Sequence, residues 1–375
     1  MCGAAALCAC GQPAARQAPA PAAPPPAAPA ASSAPVASDA PPLEESSALP
    51  VTPASASTSA SPEAQAIDAA AYPAAAADKT ATMRMLIKAE VLLDRARFSP
   101  GVIDGKTGGN LHLAVAAFEQ AHGLAVDGAL DPQVWTALTQ ADSAPVMQDY
   151  TITAADVAGP FIDKVPTTSE AMAKLDHLSY TGPVEALAEK FHMDEALLKS
   201  VNPDATFAAG STIVVVVPRS GKLASVARIE VDKTNGQLRA YGADDALVAT
   251  YPATVGSTSR PAPSGEWAVN TVAPNPTWNY DSSRLTFASG KKQKFQIAAG
   301  PNNPVGSMWI DLTKDTYGIH GTPDPRLVGK TASHGCVRLT NWDANELGAA
   351  VKKGTKVVFV GAAAKVPAAR KGAKA

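Results

Sequence analysis

The beginning of the chain is so rich in alanine, proline and serine that it limits what the rest can fold into. From residue 11 to about residue 62 there are few aromatic or large aliphatic side chains. Such a segment cannot bury enough apolar surface to offset the conformational entropy lost on ordering. We therefore predict a disordered linker over residues 11–77, with the folded part starting near residue 78. The Ala, Lys and Arg-rich residues 361–375 are predicted to form a disordered tail.

The residues before this linker are apolar and hold all but one of the cysteines. Leu7–Cys10 resembles a bacterial lipobox, whose last cysteine is lipidated after the leader is cleaved. We expect residues 1–10 to be a truncated signal sequence ending at a lipidated Cys10, with the true start codon further upstream. An alanine-rich leader without a role is the alternative. The remaining cysteine, Cys336, stands alone in the foldable part, so no intrachain disulfide framework is predicted.

The charge balance gives no basis for a nucleic-acid partner. A net charge of −2 lacks the basic excess that such proteins use. No run of about 18 apolar residues occurs, so no membrane-spanning helix is predicted. Any membrane contact therefore depends on the expected lipid anchor. A length of 375 residues favours two or three domains.

Three short helices are predicted within residues 78–141. Apolar spacing predicts the first over Met83–Arg97, and the second ends at Gly123. Asp131 followed by Pro132 supplies an N-cap and a first-turn proline for the third. The region resembles the three-helix peptidoglycan-binding domain. The motifs that carry this resemblance are Gly101–Gly105, Ala114–Phe118, Gly123–Leu124, Val126–Gly128 and Trp135–Leu138.

A strand, two helices and a closing strand are predicted within residues 149–218. Together with Asn202–Pro203 and Gly210, this order resembles a LysM-type glycan-binding module. Residues 156–179 would interrupt that module after its first strand. Glycan binding and a plain spacer role are therefore equal alternatives. The predicted elements are strand 150–153, helices 183–191 and 194–201, and strand 212–218.

A mostly-β domain is predicted over residues 224–360. Apolar and charged residues alternate from Ala227 to Asp232, and Asn235–Gly236 supplies the tight turn of a β-hairpin. One helix is predicted, over Trp342–Lys352, with Asn341 as its N-cap. The further extended runs are Leu247–Val255, Trp267–Val272, Lys294–Ala298 and Lys356–Val360.

The chemistry of the chain is concentrated between residues 317 and 338. A cysteine attacks as its thiolate, and its ordinary pKa of about 8.5 calls for a nearby imidazole, helix N-terminus or cation. His320 supplies an imidazole for Cys336, so the pair predicts the base and nucleophile of an acyl-transfer site. The backbone amides of the small lead-in Ser333–Gly335 are expected to face a developing oxyanion.

Four ordered motifs resemble those of the YkuD-type L,D-transpeptidases, enzymes that cross-link bacterial peptidoglycan through a cysteine. They are Asn275–Trp278, Gly300–Gly306, His320–Thr322 and Ser333–Arg338. The resemblance implies an L,D-transpeptidase of the cell envelope whose partner is peptidoglycan and which needs no cofactor. All the resemblances together imply a multidomain fold class: a small three-helix bundle, a small α+β LysM-like module and a mostly-β YkuD-type catalytic domain.

The family resemblance also implies a role for each motif residue. Cys336 would attack the carbonyl of the third stem-peptide residue, usually a diaminopimelate, release the terminal D-Ala and form a thioester. His320 would take the thiol proton, protonate the leaving amine and later deprotonate the acceptor amine. The carbonyl of Gly321 would orient the imidazole. The residues expected to shape the oxyanion site, with the Cys336 amide, are Ser333, His334 and Gly335.

Substrate contacts are expected from a cation and from aromatic side chains. Arg338 would pair with a substrate carboxylate or brace its loop, and His334 has the same structural alternative. For Trp278, Tyr280 and Trp309 core packing is the alternative to lining the donor groove. The full set of substrate-binding candidates is Arg338, Trp278, Tyr280, Trp309 and Tyr317.

Two other functions fit the same residues. In a cysteine L,D-carboxypeptidase, water would replace the acceptor amine at the same Cys336/His320 pair. An inactive wall-binding scaffold is the other alternative, against which the intact motifs argue. For a transpeptidase the acceptor stays open: another stem peptide, a wall-linked lipoprotein or a free D-amino acid. No metal site is predicted, because Cys336 has no partner thiols and the histidines lack ligand spacing.

Overall fold

The computed structural model describes residues 61–73, 78–256, 261–281, 283, 293–331, 333 and 335–362, which all lie within one compact unit. The predictions about the leader with Cys10, about linker residues 11–60 and 74–77, about His334 and about residues 363–375 fall outside the described residues. The α-helices are α1 (Pro62–Asp68), α2 (Lys79–Arg95), α3 (Gly109–His122), α4 (Pro132–Ala141), α5 (Ser169–Met172), α6 (Pro183–Lys190), α7 (Glu195–Ser200) and α8 (Asn341–Ala350). Short 3₁₀ turns cover Ala155–Val157 and Pro325–Leu327.

The β-strands of the described residues fall into three sheets. They are β1 (Met147–Thr151), β2 (Thr212–Val216), β3 (Arg228–Asp232), β4 (Gln237–Tyr241), β5 (Leu247–Pro252), β6 (Thr254–Val255), β7 (Gly265–Pro274), β8 (Trp278–Asp281), β9 (Lys294–Ile297), β10 (Met308–Leu312), β11 (Gly318–His320), β12 (Val337–Arg338) and β13 (Lys356–Val360). No helix of the described ranges is long and apolar enough to cross a membrane.

Helix α1 lies inside the predicted linker, so the prediction of disorder over residues 11–77 is wrong at this point. Ala64 and Ile67 are fully buried and pack into the core beside α2 and β1. The Asp68 carboxylate accepts hydrogen bonds of 2.7 and 3.1 Å from two backbone amides at the start of β1. These contacts with distant residues offset the ordering cost that the local composition cannot.

The three predicted helices of residues 78–141 are present as α2, α3 and α4. The Asp131 carboxylate accepts a 2.8 Å hydrogen bond from the Val134 amide at the start of α4, with Pro132 in the first turn. Helix α3 ends at Gly123, whose φ of +67° is left-handed. Helix α2 begins before the predicted Met83, because the Asp78 side chain caps it.

The two Asp-Gly turns of this region are each held by a buried carboxylate. Glu90 of α2 accepts hydrogen bonds from the amides of Asp104 and Gly105, at 3.1 and 2.8 Å. Glu119 of α3 does the same for the turn at residues 127–128, at 3.0 and 2.8 Å. The turns therefore keep their shape because a helix side chain satisfies their backbone donors.

The predicted strand, helix, helix, strand order is present and is called the βααβ unit, residues 147–216. Strand β1 pairs antiparallel with β2, and α6 and α7 lie between them in sequence. Residues 152–182, which follow β1, form an inserted segment that carries α5. The predicted interruption is therefore part of the folded structure.

The helices α1 to α4 and the βααβ unit share one hydrophobic core. The predicted boundary between residues 141 and 149 thus does not separate two cores, because side chains from both sides of it pack into the same cluster. Buried members from either side include Ile87, Leu93, Phe118, Leu138, Val146, Leu187 and Val215.

The C-terminal region is built on a nine-stranded sheet of order β5-β4-β3-β13-β7-β10-β11-β12-β6. The long strand β7 belongs to both halves, pairing with β13 over Gly265–Ala268 and with β10 over its remaining residues. The predicted hairpin is present as β3 and β4, with Gly236 at φ +67° in its turn. Helix α8 packs on β10, and β8 and β9 form a separate hairpin. Buried members of the core of this region include Ile229, Leu238, Ile310, Ile319, Val337 and Leu347.

A buried ionic cluster joins the two cores and is called the Arg219 network. The Arg219 guanidinium contacts Asp94 of α2, Asp343 of α8 at 2.6 Å, and Glu346 of α8 at 3.0 Å. Burial alone would raise the pKa of Asp94, but the Arg219 charge holds it well below its usual range. Both helices are therefore tied to the segment that follows β2.

Candidate active site

The sheet brings the two predicted reacting side chains onto neighbouring strands. His320 is the last residue of β11, and Cys336 immediately precedes β12. These strands pair in parallel, with Ile319 opposite Val337 and His320 opposite Arg338. The two sequence motifs therefore meet side by side at one edge of the strand pair.

His320 is held in a defined orientation and is only 4% exposed. Its Nδ1 lies 2.7 Å from the carbonyl oxygen of Gly321, and its ring stacks on Trp309 with centroids 5.5 Å apart. Since a carbonyl only accepts, Nδ1 carries the hydrogen in the neutral ring and Nε2 is the basic nitrogen. Trp309 thus contacts the imidazole itself.

His320 is neutral at physiological pH. Burial lowers the pKa of its imidazole to about 3, with the nearby Arg338 charge acting in the same direction and the Gly321 carbonyl opposing both. A neutral imidazole keeps its hydrogen on Nδ1, and its unprotonated Nε2 can accept a second proton during a reaction.

Cys336 is half-buried and is a thiol in the resting protein. Burial raises the pKa of the thiol, although the Gly318 amide and the Arg338 charge favour the thiolate. The site therefore differs from the thiolate expected from the motif alone. It pairs a neutral thiol with a neutral imidazole, so proton transfer must accompany the attack of the sulfur.

Ser333 fixes the loop that carries the cysteine. Its hydroxyl donates to the Cys336 carbonyl at 2.6 Å and accepts from the amides of Gly256 and Gly335, at 2.6 and 3.2 Å. Its own amide donates to the Gly256 carbonyl at 3.0 Å. The expectation that the Ser333 and Gly335 amides face an oxyanion is wrong, because the first donates to the Gly256 carbonyl and the second to the Ser333 hydroxyl. The Cys336 amide and His334, the latter outside the described residues, are left from the predicted set.

Gly335 and Tyr317 are adjacent in space. Gly335 has φ +117°, which side-chain-bearing residues rarely adopt, and a Cβ there would lie 3.0 Å from the Tyr317 ring. Tyr317 itself packs against the core of the nine-stranded sheet. The close approach explains the glycine, and the contacts of the tyrosine are packing contacts.

Arg338 lines a cavity of about 260 Å³ beside the strand pair. One wall comes from the inserted segment, through Met172 at the end of α5, and another from Thr322, two residues beyond His320. The remaining lining residues are Thr254, Pro304, Pro323, Asp324, Leu327, Val328 and Thr331.

The structure places the other aromatic candidates on the β8–β9 hairpin. Trp278 packs against a small cluster formed by Ile162 and Leu178 of the inserted segment with Ile297 of β9. Tyr280 stacks on Phe295 with centroids 5.7 Å apart. Both sets of contacts are packing contacts within and around the hairpin.

Asn341 is a site-forming residue that the sequence reasoning missed. It was expected to cap α8, but Thr340 does so by accepting a 3.1 Å hydrogen bond from the Asp343 amide. Asn341 is buried, and its Oδ1 accepts from the amides of Ser307 and Thr322, both at 3.1 Å. The available signal was the Thr-Asn pair, in which a threonine already supplies the cap.

The packing of Asn341 also explains a motif glycine. A Cβ at Gly321 would lie 2.1 Å from Asn341 Oδ1, so a side chain there would displace the amide. Gly321 thus serves two purposes in the structure: its carbonyl contacts His320, and its bare Cα admits Asn341.

Two protein-family profiles match the chain. One is described as an "L,D-transpeptidase catalytic domain" and covers residues 226–359. The other is described as a "Putative peptidoglycan binding domain" and covers residues 86–138.

Similar proteins occur in several bacteria. A Bacillus licheniformis protein named "Putative L,D-transpeptidase YkuD" is 32% identical over 177 residues, which cover 46% of this chain and 91% of that protein. A Salmonella typhimurium protein named "Probable L,D-transpeptidase ErfK/SrfK" is 30% identical over 48% of this chain, which spans 60% of that protein. The solved L,D-transpeptidase from Mycobacterium smegmatis is 15% identical, with a TM-score of 0.29 over 41% of this chain and 65% of that one.

Proposed function

The chain belongs to the L,D-transpeptidase family, and on that premise we propose that it transfers peptidoglycan stem peptides through an acyl-enzyme on Cys336. The observation that supports the proposal is the parallel pairing of β11, which ends at His320, with β12, which Cys336 immediately precedes. The imidazole beside the cysteine strand is neutral, with Nδ1 held by the Gly321 carbonyl and Nε2 available as a base.

The proposed acylation moves one proton and exchanges one bond. As the Cys336 sulfur attacks the carbonyl of the third stem-peptide residue, its proton passes to His320 Nε2. The carbon–nitrogen bond to the terminal D-Ala then breaks, and His320 returns the proton to the leaving amine. The product is a thioester on Cys336 and free D-Ala.

The proposed second half reverses these roles. An acceptor amine attacks the thioester carbonyl and gives a proton to His320, which returns it to the departing sulfur of Cys336. The new amide bond is the cross-link, and the thiol is regenerated. Because every step begins and ends with a neutral pair, no buried charge has to be maintained between turnovers.

The surrounding residues support this chemistry in distinct ways. We assign the Cys336 amide as an oxyanion donor, while Ser333 holds the loop that presents it. Arg338 offers a cation on the cavity wall, where a substrate carboxylate would bind. Trp309 keeps the imidazole of His320 in place by stacking.

The finer features of substrate and location belong to the same proposal. Residues 86–138 would hold the enzyme on the wall, and the acceptor would be a stem-peptide amine or a wall-linked lipoprotein. A lipid on Cys10 would keep it in the envelope. Metabolic labelling with a fatty-acid probe tests the anchor, which is refuted if Cys10→Ser protein behaves identically.

Muropeptide analysis tests the proposed reaction directly. Purified protein is incubated with disaccharide tetrapeptides, and the products are identified by mass spectrometry, with the Cys336→Ala variant as control. Cross-linked dimers are the expected result. Tripeptides alone would mean a carboxypeptidase, and unchanged substrate would mean a wall-binding scaffold.

A further inference from the structure

A half-buried carboxylate of the βααβ unit contacts Asn341 and through it reaches the site. Glu189 lies near the end of α6, and its two oxygens accept hydrogen bonds of 3.0 and 3.1 Å from Asn341 Nδ2. The Tyr180 hydroxyl donates to the same carboxylate at 3.0 Å. Burial raises the pKa of Glu189 to about 7, and these two donors oppose that rise. A carboxylate that is partly shielded from water is costly unless it is hydrogen-bonded.

The amide of Asn341 is fixed at both ends. The orientation of the amide is defined, because the atom that faces Ser307 and Thr322 receives hydrogen bonds from two backbone N–H groups and must therefore be the oxygen, Oδ1. Its Nδ2 then faces Glu189 and the Pro301 carbonyl, at 3.2 Å from the latter. The side chain therefore uses all of its ordinary donors and acceptors between two regions of the molecule.

The same boundary is closed by backbone contacts of the inserted segment. The Leu178 amide donates to the Ala299 carbonyl at 3.0 Å, and the Leu178 carbonyl accepts from the Asn302 amide at 2.9 Å. Gly300 passes so close that a Cβ there would lie 2.2 Å from the Leu178 carbonyl oxygen. The loop that precedes β10 is thus held against the inserted segment of the βααβ unit at Leu178.

We propose that Glu189 is a positioning residue for His320, acting through Asn341 on the Gly321–Thr322 backbone. The inference rests on the proposed function of His320 as the base. Asn341 holds the Thr322 amide and packs on Gly321, whose carbonyl contacts His320 Nδ1. Through Glu189 alone, the βααβ unit thereby helps to position the base, in addition to any role in binding the wall.

The expected size of the effect follows from geometry. Without the carboxylate, Asn341 Nδ2 retains the Pro301 carbonyl alone, and its side chain is free to turn away from Thr322. A misplacement of about 1 Å in a catalytic group costs on the order of 100-fold in rate. Glu189→Ala should therefore lower kcat for stem-peptide acylation by about 10- to 100-fold while KM changes little.

Three variants test the proposal in the full-length protein. Glu189→Gln keeps an acceptor for Asn341 and should retain activity within about threefold. Asn202→Ala is the matched control, since Asn202 is a buried amide of the same βααβ unit that bonds only within it, to the residues Leu198 and Val214. It should lower the melting temperature but not kcat. Equal loss of kcat in Glu189→Ala and Asn202→Ala would overturn the proposal, as would full activity of Glu189→Ala.

A second set of variants, in which the carboxylate and the amide exchange places, covers the case in which Glu189→Ala does not fold. Asn341→Asp places two carboxylates face to face and should lose most activity. Adding Glu189→Gln restores one donor and one acceptor across the contact and should recover at least tenfold. No recovery in the double variant, with both proteins folded, would also overturn the proposal.

A measurement that does not need turnover separates this inference from the proposed function. Amide hydrogen exchange at Ser307 and Thr322, the two donors to Asn341, should accelerate in Glu189→Ala but not in Asn202→Ala. If the wild-type protein forms no thioester, the proposed function fails whatever the exchange shows. If it forms one and the exchange is unchanged, only the positioning role fails.

Discussion

His320 and Arg219 both have deeply buried nitrogen bases in their side chains, but Arg219 is charged and His320 is neutral. Each is only 4% exposed, Arg219 by its side chain. Arg219 lies among three carboxylates, which outweigh burial and raise its pKa well above the ordinary value. Burial lowers the pKa of His320 to about 3. The Arg338 charge acts in the same direction, and the Gly321 carbonyl opposes it. The neighbours therefore decide the charge: the joint between the cores is ionic, and the reaction site is neutral.

The largest expected effect comes from removing the nucleophile of the neutral reaction site. Cys336→Ala should abolish both acyl-adduct formation and cross-linking, because no other group replaces the sulfur, while the fold survives. The adduct is followed by intact-protein mass spectrometry with stem peptide or a carbapenem, which the family resemblance implies as an acyl donor. Cys10→Ser is the matched control and should keep full activity. Turnover by Cys336→Ala protein would exclude Cys336 as the acyl carrier.

The next effect tests the neutral base itself. His320→Gln should lower the acylation rate by about 10²- to 10⁴-fold, the range typical of lost general acid–base help. Binding to isolated peptidoglycan should persist, since residues 86–138 would carry it. Pull-down on purified walls measures the second property. If wall binding were lost together with activity, the two regions would not divide the work as proposed.

The ionic side of the comparison is tested by Arg219→Met. This leaves Asp94, Asp343 and Glu346 without their shared partner, and breaking a buried ion pair costs about 3–5 kcal/mol. Urea unfolding measures the change. The matched control is Lys356→Gln, which removes a surface pair with Glu266 and should cost about 0–1 kcal/mol. Equal costs for the two changes would show that the Arg219 network is not essential to stability.

The smallest effect concerns pH. The folded protein keeps His320 neutral down to about pH 3, whereas an unfolded histidine takes up a proton below about 6.5. The free energy of unfolding should therefore fall as pH decreases through this window, by about 2 kcal/mol at pH 5 from this residue. The His320→Gln variant should lack that part of the decrease. Identical pH dependence in both proteins would mean that His320 takes up its proton over the same pH range in the folded protein as in the unfolded chain.

Activity should show the complementary behaviour. Because His320 is already neutral, lowering the pH from 7.5 to 5 should not reduce kcat/KM through protonation of this base. A pH–rate profile of acylation measures this. A loss centred near pH 6.5 that persists in Glu189→Gln protein, which lacks the carboxyl of pKa about 7, would contradict the neutral, buried imidazole.

The features that the sequence predicted correctly are short-range. The Asp131 cap, the Gly123 helix end and the Gly236 turn each depend on residues within a few positions of one another. The order of strands and helices in the βααβ unit follows from similar local patterns. Such features can be predicted because the interacting groups are neighbours in the chain.

The features that the sequence missed depend on distant partners. Helix α1 looked like linker because its stabilising contacts, such as Asp68 with the start of β1, come from 78 residues away. Glu189 and Asn341 are 152 residues apart, and neither belongs to a pattern that indicates the other. The hydroxyl of Ser333 was placed in the right loop, but its partner Gly256 lies 77 residues earlier.

The Arg219 network also bears on how such a chain can change over generations. Its members come from a helix of the region that matches the peptidoglycan-binding profile, the segment after the βααβ unit and the last helix of the region that matches the transpeptidase profile. A recombination event that exchanges one region would leave unmatched charges in the others. We therefore expect Asp94, Arg219 and Asp343 to be present together or absent together in related proteins that contain all three regions.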